Sequence, residues 1–118
     1  METSNDFCLL MTSVDSEAAA QALAGGMVEA GLAACVQVVP TTSFYVWKGD
    51  SRREAEYLLL AKTRTARVPA LEDFIRAHHP YELPELLQLP VAAGSAGYLA
   101  WLREGTRAAP LPPAPAQE

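Results

Sequence analysis

The chain is expected to fold as an α+β domain on the ferredoxin-like split βαβ plan, βαββαβ with a further helix at the C-terminus. Three features of the sequence point to this plan. Apolar runs and helical periodicity alternate in the order strand, helix, strand, strand, helix, strand. The two middle strands are separated by a turn signal alone, Lys48-Gly49-Asp50-Ser51, and so form a hairpin. The length, 118 residues, suits one such domain and leaves no room for two. Two right-handed crossovers sharing one hairpin give an antiparallel sheet of order 4-1-3-2.

The first strand is Phe7 to Val14, a short apolar run rich in strand formers. Asp15 and Ser16 are cap residues for a helix, and Glu17 suits its first turn. Ala19, Leu23, Met27 and Ala30 recur on one face of that helix, and Gly31 stops it. Gly25 and Gly26 disfavour a helix interior and are expected to permit close packing on the sheet. Ala33 to Trp47 is the second strand. Pro40 lacks a ladder donor and belongs at an edge or a bulge. Ala55 to Thr65 is the third strand. Arg67 to His79 is the second helix, with Pro69 in its first turn and Val68, Leu71, Phe74, Ile75 and His78 as its buried stripe. Leu86 to Val91 is a short edge strand, and a last helix carries Tyr98, Leu99, Trp101 and Leu102. Residues 1–6 are expected to be a disordered N-terminus, 7–107 the domain, and 108–118 a Pro/Ala-rich disordered tail.

Composition narrows the partners. Nine Lys+Arg against fourteen Asp+Glu leave a net charge of −5, without the basic excess of a nucleic-acid binder. No apolar run approaches the ~18 residues of a membrane span. The polar, acidic start does not read as a signal peptide, and two cysteines are no disulfide framework. A cytoplasmic, reduced chain is therefore expected. Cys8 and Cys35 fall on strands with a third strand between them, roughly 9–10 Å apart, beyond the ~7 Å that a disulfide spans.

The hairpin points to assembly. Its fifteen-residue second strand would reach roughly 50 Å, whereas a compact chain of this length is about 35 Å across. The overhang carries Phe44, Tyr45, Val46 and Trp47. Either it is mobile and solvated or another subunit covers it, and its aromatic content argues for cover.

Five blocks carry a resemblance. They are Leu32-Ala33-Ala34-Cys35-Val36; Ser43, Tyr45, Trp47 and Gly49 at alternate positions; Lys62-Thr63-Arg64; Val68-Pro69-Ala70-Leu71; and His79-Pro80-Tyr81-Glu82 with Pro84-Glu85. In this order and spacing the chain, from about Phe7 to Arg107, resembles the CutA family of divalent-cation-tolerance proteins. The resemblance implies a tight homotrimer in which hairpins and sheet edges of neighbours pair, and an architecture similar to the PII signalling proteins, which bind small ligands between subunits. It also implies a link to tolerance of copper and other divalent ions. The chain departs from the family in having Gln37 where members often carry Asn, and in offering no thiol at Ser13–Val14.

Each residue that might carry chemistry has two readings. Cys35 is either a soft ligand for Cu(I) or a small packed side chain. His79, Glu82 and Glu85 are either a site for copper or zinc or a rigid hydrogen-bonded turn. Lys62 is either the wall of an anion-binding cleft with Tyr81 and Glu82, or a salt bridge to Glu82 or Glu85 across an interface. Tyr45 and Trp47 are either interface core or a stacking platform for a ligand. No nucleophile–base motif or phosphate-cradling loop is visible. The expected function is a non-enzymatic, cytoplasmic trimer in the response to divalent metal ions, copper above all, with no required cofactor. A PII-like sensor of a small anionic metabolite is the second reading, and an inter-subunit enzyme the third. Neither nucleic acid nor membrane is an expected partner.

Overall fold

The computed structural model describes residues 1–106; the expected tail, 108–118, lies outside them. The elements are β1 (Glu2–Thr3), β2 (Phe7–Val14), α1 (Glu17–Glu29), β3 (Cys35–Trp47), β4 (Asp50–Arg64), a 3-10 turn (Thr65–Arg67), α2 (Val68–His78), β5 (Leu87–Pro90), β6 (Ala93–Gly94) and α3 (Ala96–Gly105). Four strands form one antiparallel sheet in the order β3-β4-β2-β5. Read from the β5 edge, with the long strands numbered one to four, this is 4-1-3-2.

Local chemistry sets the boundaries. Ser16 caps α1, its Oγ accepting from the Ala19 N–H at 3.1 Å. Gly31, at φ 71°, ends that helix in the left-handed region that glycine tolerates. Lys48 and Gly49 both have positive φ, 51° and 84°, so the hairpin closes in a two-residue turn of the type that matches strand twist. Because the turn holds two residues, β4 starts at Asp50, earlier than expected at Ala55. Pairing then runs unbroken from Trp47↔Asp50 to Cys35↔Lys62. Pro40 makes no bulge; it sits on the edge strand.

α1 and α2 cover one sheet face. Leu10, Val14, Leu23, Met27, Leu59, Leu71 and Ile75 form the core between them. Gly26 faces α2 rather than the sheet: a Cβ there would lie 2.7 Å from the Phe74 ring, while Gly25 has nothing within 4 Å. His78 is not packed in the core as expected. It is exposed at the end of α2, with its ring on Phe74 at 4.3 Å and its Nδ1 2.8 Å from the Phe74 carbonyl.

α3 covers only one end of the opposite face, burying Phe7, Leu99 and Leu102. Arg64 holds the end of α3 by donating to the Thr106 carbonyl and hydroxyl. Strand alternation puts Leu9, Met11, Val39, Leu58, Leu60, Leu87 and Leu89 on that face. Among the described residues no helix covers them, and Val39, Leu87 and Leu89 are 41, 55 and 40% exposed. The N-terminus corrects the expectation of disorder, since Glu2–Thr3 pair antiparallel with Ala93–Gly94. A two-residue polar strand has no periodicity by which sequence can reveal it. Among the described residues no helix is long and apolar enough to cross a membrane.

Candidate functional site: an acidic cleft under the hairpin

The loop after α2 is tied to the sheet by side chains. The His79 ring binds at both nitrogens. Its Nδ1 accepts from the Tyr81 N–H at 3.1 Å, which leaves the proton on Nε2 to donate to the Ser13 carbonyl at 2.9 Å. Burial pushes the imidazole pKa below its ordinary value, against the opposing pull of the Ser13 carbonyl and of Asp15, Glu56 and Glu85. Tyr81 packs edge-on against that ring, and its hydroxyl donates to Glu56 Oε2 at 2.5 Å. Burial, then the hydrogen bond and charge of Glu56, push the phenol pKa well up. Glu85 Oε1 accepts from Ser13 Oγ at 3.1 Å.

This loop and the overhanging hairpin enclose a cleft of about 460 Å³ on the open sheet face. Tyr45, Trp47 and Tyr81 supply aromatic walls. Asp15, Glu54, Glu56, Glu82 and Glu85 supply carboxylates, against the single guanidinium of Arg52. The cations available are loosely placed at the rim: Arg52 lies 3.7 Å from Glu54, and Lys48 3.7 Å from Glu82. Asp15, Glu56 and Glu85 make no ion pair among the described residues. Glu56 is 6% exposed.

Of the residues singled out in the sequence, the structure brings Tyr45, Trp47, Tyr81, Glu82 and Glu85 to this cleft. Lys62 of the same chain is not among them. It lies at the other end of the face beside α3, its Nζ 3.3 Å from the Tyr98 hydroxyl and 5.4 Å from that ring. Alternation gives its face correctly but not its distance along the strand. The two candidate metal sites, the His79–Glu85 loop and Cys35 on β3, lie on different elements. His79 spends both nitrogens on the backbone, and Cys35 is the cross-strand neighbour of Lys62. Among the described residues no group of three His, Cys, Asp or Glu side chains converges to hold a metal ion. Both cysteines are free, Cys8 buried and Cys35 half-buried. Burial raises the Cys8 thiol pKa. Sequence reasoning missed Asp15, taken only as a cap, and Glu56. The signal for Glu56 is a carboxylate in register with Leu58 and Leu60, on a face that should be apolar.

These features meet a clear match. A family model described as CutA1 divalent ion tolerance protein covers residues 8–105. The chain belongs to the CutA1 divalent ion tolerance family. The CutA divalent-cation tolerance protein of Thermus thermophilus is 46% identical over 99 residues, 83% of this chain and 96% of that protein. The human CutA protein is also 46% identical, over 92 residues, 77% of this chain and 51% of its own length; the chain thus spans about half of that relative. Among solved structures, CutA of Synechococcus elongatus superposes with a TM-score of 0.86 at 43% identity, covering 88% of this chain and 93% of that one. The CutA of Archaeoglobus fulgidus, described as periplasmic, gives 0.82 at 28%, covering 85% and 98%. The α+β architecture with one main antiparallel sheet and three helices is that of the CutA structures. The family is named for tolerance of divalent cations, not for a reaction.

Proposed function

We propose that this chain acts as a homotrimer in the tolerance of divalent metal ions, copper among them, by binding rather than by catalysis, and that the cleft is where positive charge is taken up. The observation that carries this reading is the cleft's charge: five carboxylates face one guanidinium, and three of them make no ion pair among the described residues. A buried carboxylate without a counter-charge favours whatever cation can reach it. Assembly is supported by the uncovered sheet face, whose exposed Val39, Leu87 and Leu89 continue a half-buried apolar surface, and by the trimer that the family resemblance implies. The second reading is a sensor that binds a small anionic metabolite between subunits, with Lys62 on the same sheet face beside α3. A CutA of Synechococcus elongatus was solved complexed with a Bis-Tris molecule, and that molecule is an amine rather than an anion.

The test is calorimetry of chelator-free protein with Cu(II) and Zn(II), on wild type, Glu56→Gln and Cys35→Ser. Weaker binding in Glu56→Gln, with Cys35→Ser unchanged, is the expected result. Loss in the cysteine variant alone moves the metal to the thiol and overturns the cleft as its site. The cytoplasmic location is part of the same proposal, and cell fractionation checks it against the periplasmic description of the Archaeoglobus relative.

A further inference from the structure

We infer that the cleft is completed by a second copy of the chain, whose Lys62 enters it and pairs with Glu85; the inference rests on the reading of the chain as a homotrimer. Symmetry, reach and the state of each carboxylate lead to this pairing.

In a closed ring of three, every contact is heterologous: one patch of a chain meets a different patch of the next. The chain must then carry two patches that fit each other. The open sheet face has two unlike ends. One is the cleft, with five carboxylates against one guanidinium. The other is the α3 end, where Tyr98 and Trp101 stack with ring centroids 5.5 Å apart and stay 41 and 51% exposed. Lys62 lies there, its Nζ donating to the neutral Tyr98 hydroxyl, with no ion pair among the described residues. An acidic end and a basic, aromatic end on one face are complementary in charge.

Reach decides that the pairing is between chains. On β4, Lys62 lies beyond Glu56, which lines the cleft, by about 20 Å along the strand. A lysine side chain does not cross that distance, so this ammonium meets the cleft of another copy and not its own.

The carboxylates differ in what already engages them. Glu54 and Glu82 lie 3.7 Å from Arg52 and Lys48. Glu56 is 6% exposed and holds the Tyr81 hydroxyl. Asp15 is exposed beside the N-terminus of α1, whose dipole favours its charge. Glu85 remains. It is half-buried, spends Oε1 on the Ser13 hydroxyl at 3.1 Å, and makes no ion pair among the described residues. It also leads into Leu87 and Leu89, 55 and 40% exposed on the same face. The aromatic stack that accompanies Lys62 thus finds apolar surface to cover next to Glu85.

Subunit exchange tests the pairing. Isotope-labelled and unlabelled samples of the full chain are mixed at low micromolar concentration, and mixed trimers are followed by native mass spectrometry. The proteins are wild type, Lys62→Met, Glu85→Gln and the double variant; glutamine keeps an acceptor for Ser13. Each single variant is expected to exchange about tenfold faster than wild type. The double variant is expected to exchange no faster than either single, because its second change removes a partner already lost. The reversed pair is the readout if a neutral variant fails to fold: Lys62→Glu and Glu85→Lys each speed exchange, and the two together slow it again. Single variants that exchange at the wild-type rate, or accelerations that multiply in the double variant, overturn the pairing and leave the trimer standing. A monomeric wild type overturns both.

Discussion

His79 fastens the loop over the cleft through a neutral ring, and protonation would end that arrangement because Nδ1 is an acceptor. The sign of the pH effect follows. Its pKa in the folded chain lies below the ordinary 6.5, so between those two values the unfolded chain binds more protons. The contribution of His79 is therefore complete above about pH 6.5 and is lost as the pH falls through the folded value. Wild type is expected to lose more melting temperature between pH 7.5 and 5 than His79→Gln, measured by calorimetry. Equal losses in the two proteins would show that the ring does not titrate as the geometry demands. At this scale the sequence was only partly legible. The adjacent His78 and His79 look alike in sequence, yet one stacks in the open on Phe74 and the other reaches the Ser13 carbonyl. A partner that is a backbone atom 66 residues away leaves no residue type to recognise. Glu56 was hidden for a different reason: its phenolic partner, Tyr81, sits on a loop whose approach to β4 only the folded chain defines.

The long elements were legible because each has a strong local cause. β2 runs over the apolar stretch Phe7–Val14, α1 starts at a serine cap, and α2 carries proline in its first turn. What local pattern does not encode is which element a residue meets. Gly25 and Gly26 are identical in propensity, yet a methyl on Gly26 would strike the Phe74 ring at 2.7 Å and one on Gly25 would meet nothing within 4 Å. Gly25→Ala is expected to stabilise the chain by up to about 1 kcal/mol, the helix-propensity difference. Gly26→Ala is expected to destabilise it by about 1–3 kcal/mol, the usual result of overpacking. Urea unfolding of the two variants checks the contrast. Equal shifts would mean that α1 and α2 separate without loss. The β1–β6 pair shows the same limit from the other side, since two-residue strands exist only through their tertiary partner.

For the whole molecule, the sheet is covered by α1 and α2 on one face and only at one end by α3 on the other. The hairpin beyond β2 extends the shape to 46 × 43 × 20 Å, and Phe44 and Val46 on it are 72 and 68% exposed. An apolar face and an overhanging aromatic hairpin on one chain are the two surfaces that the proposed trimer brings together. The cleft lies where that face meets the hairpin, so the proposed contact and the proposed cation site are neighbours in space. Native mass spectrometry at low micromolar concentration tests this most directly. The account predicts one dominant species of three times 12.7 kDa. A monomer as the dominant species would contradict it, because the uncovered face and the hairpin would then be stable in water without a partner.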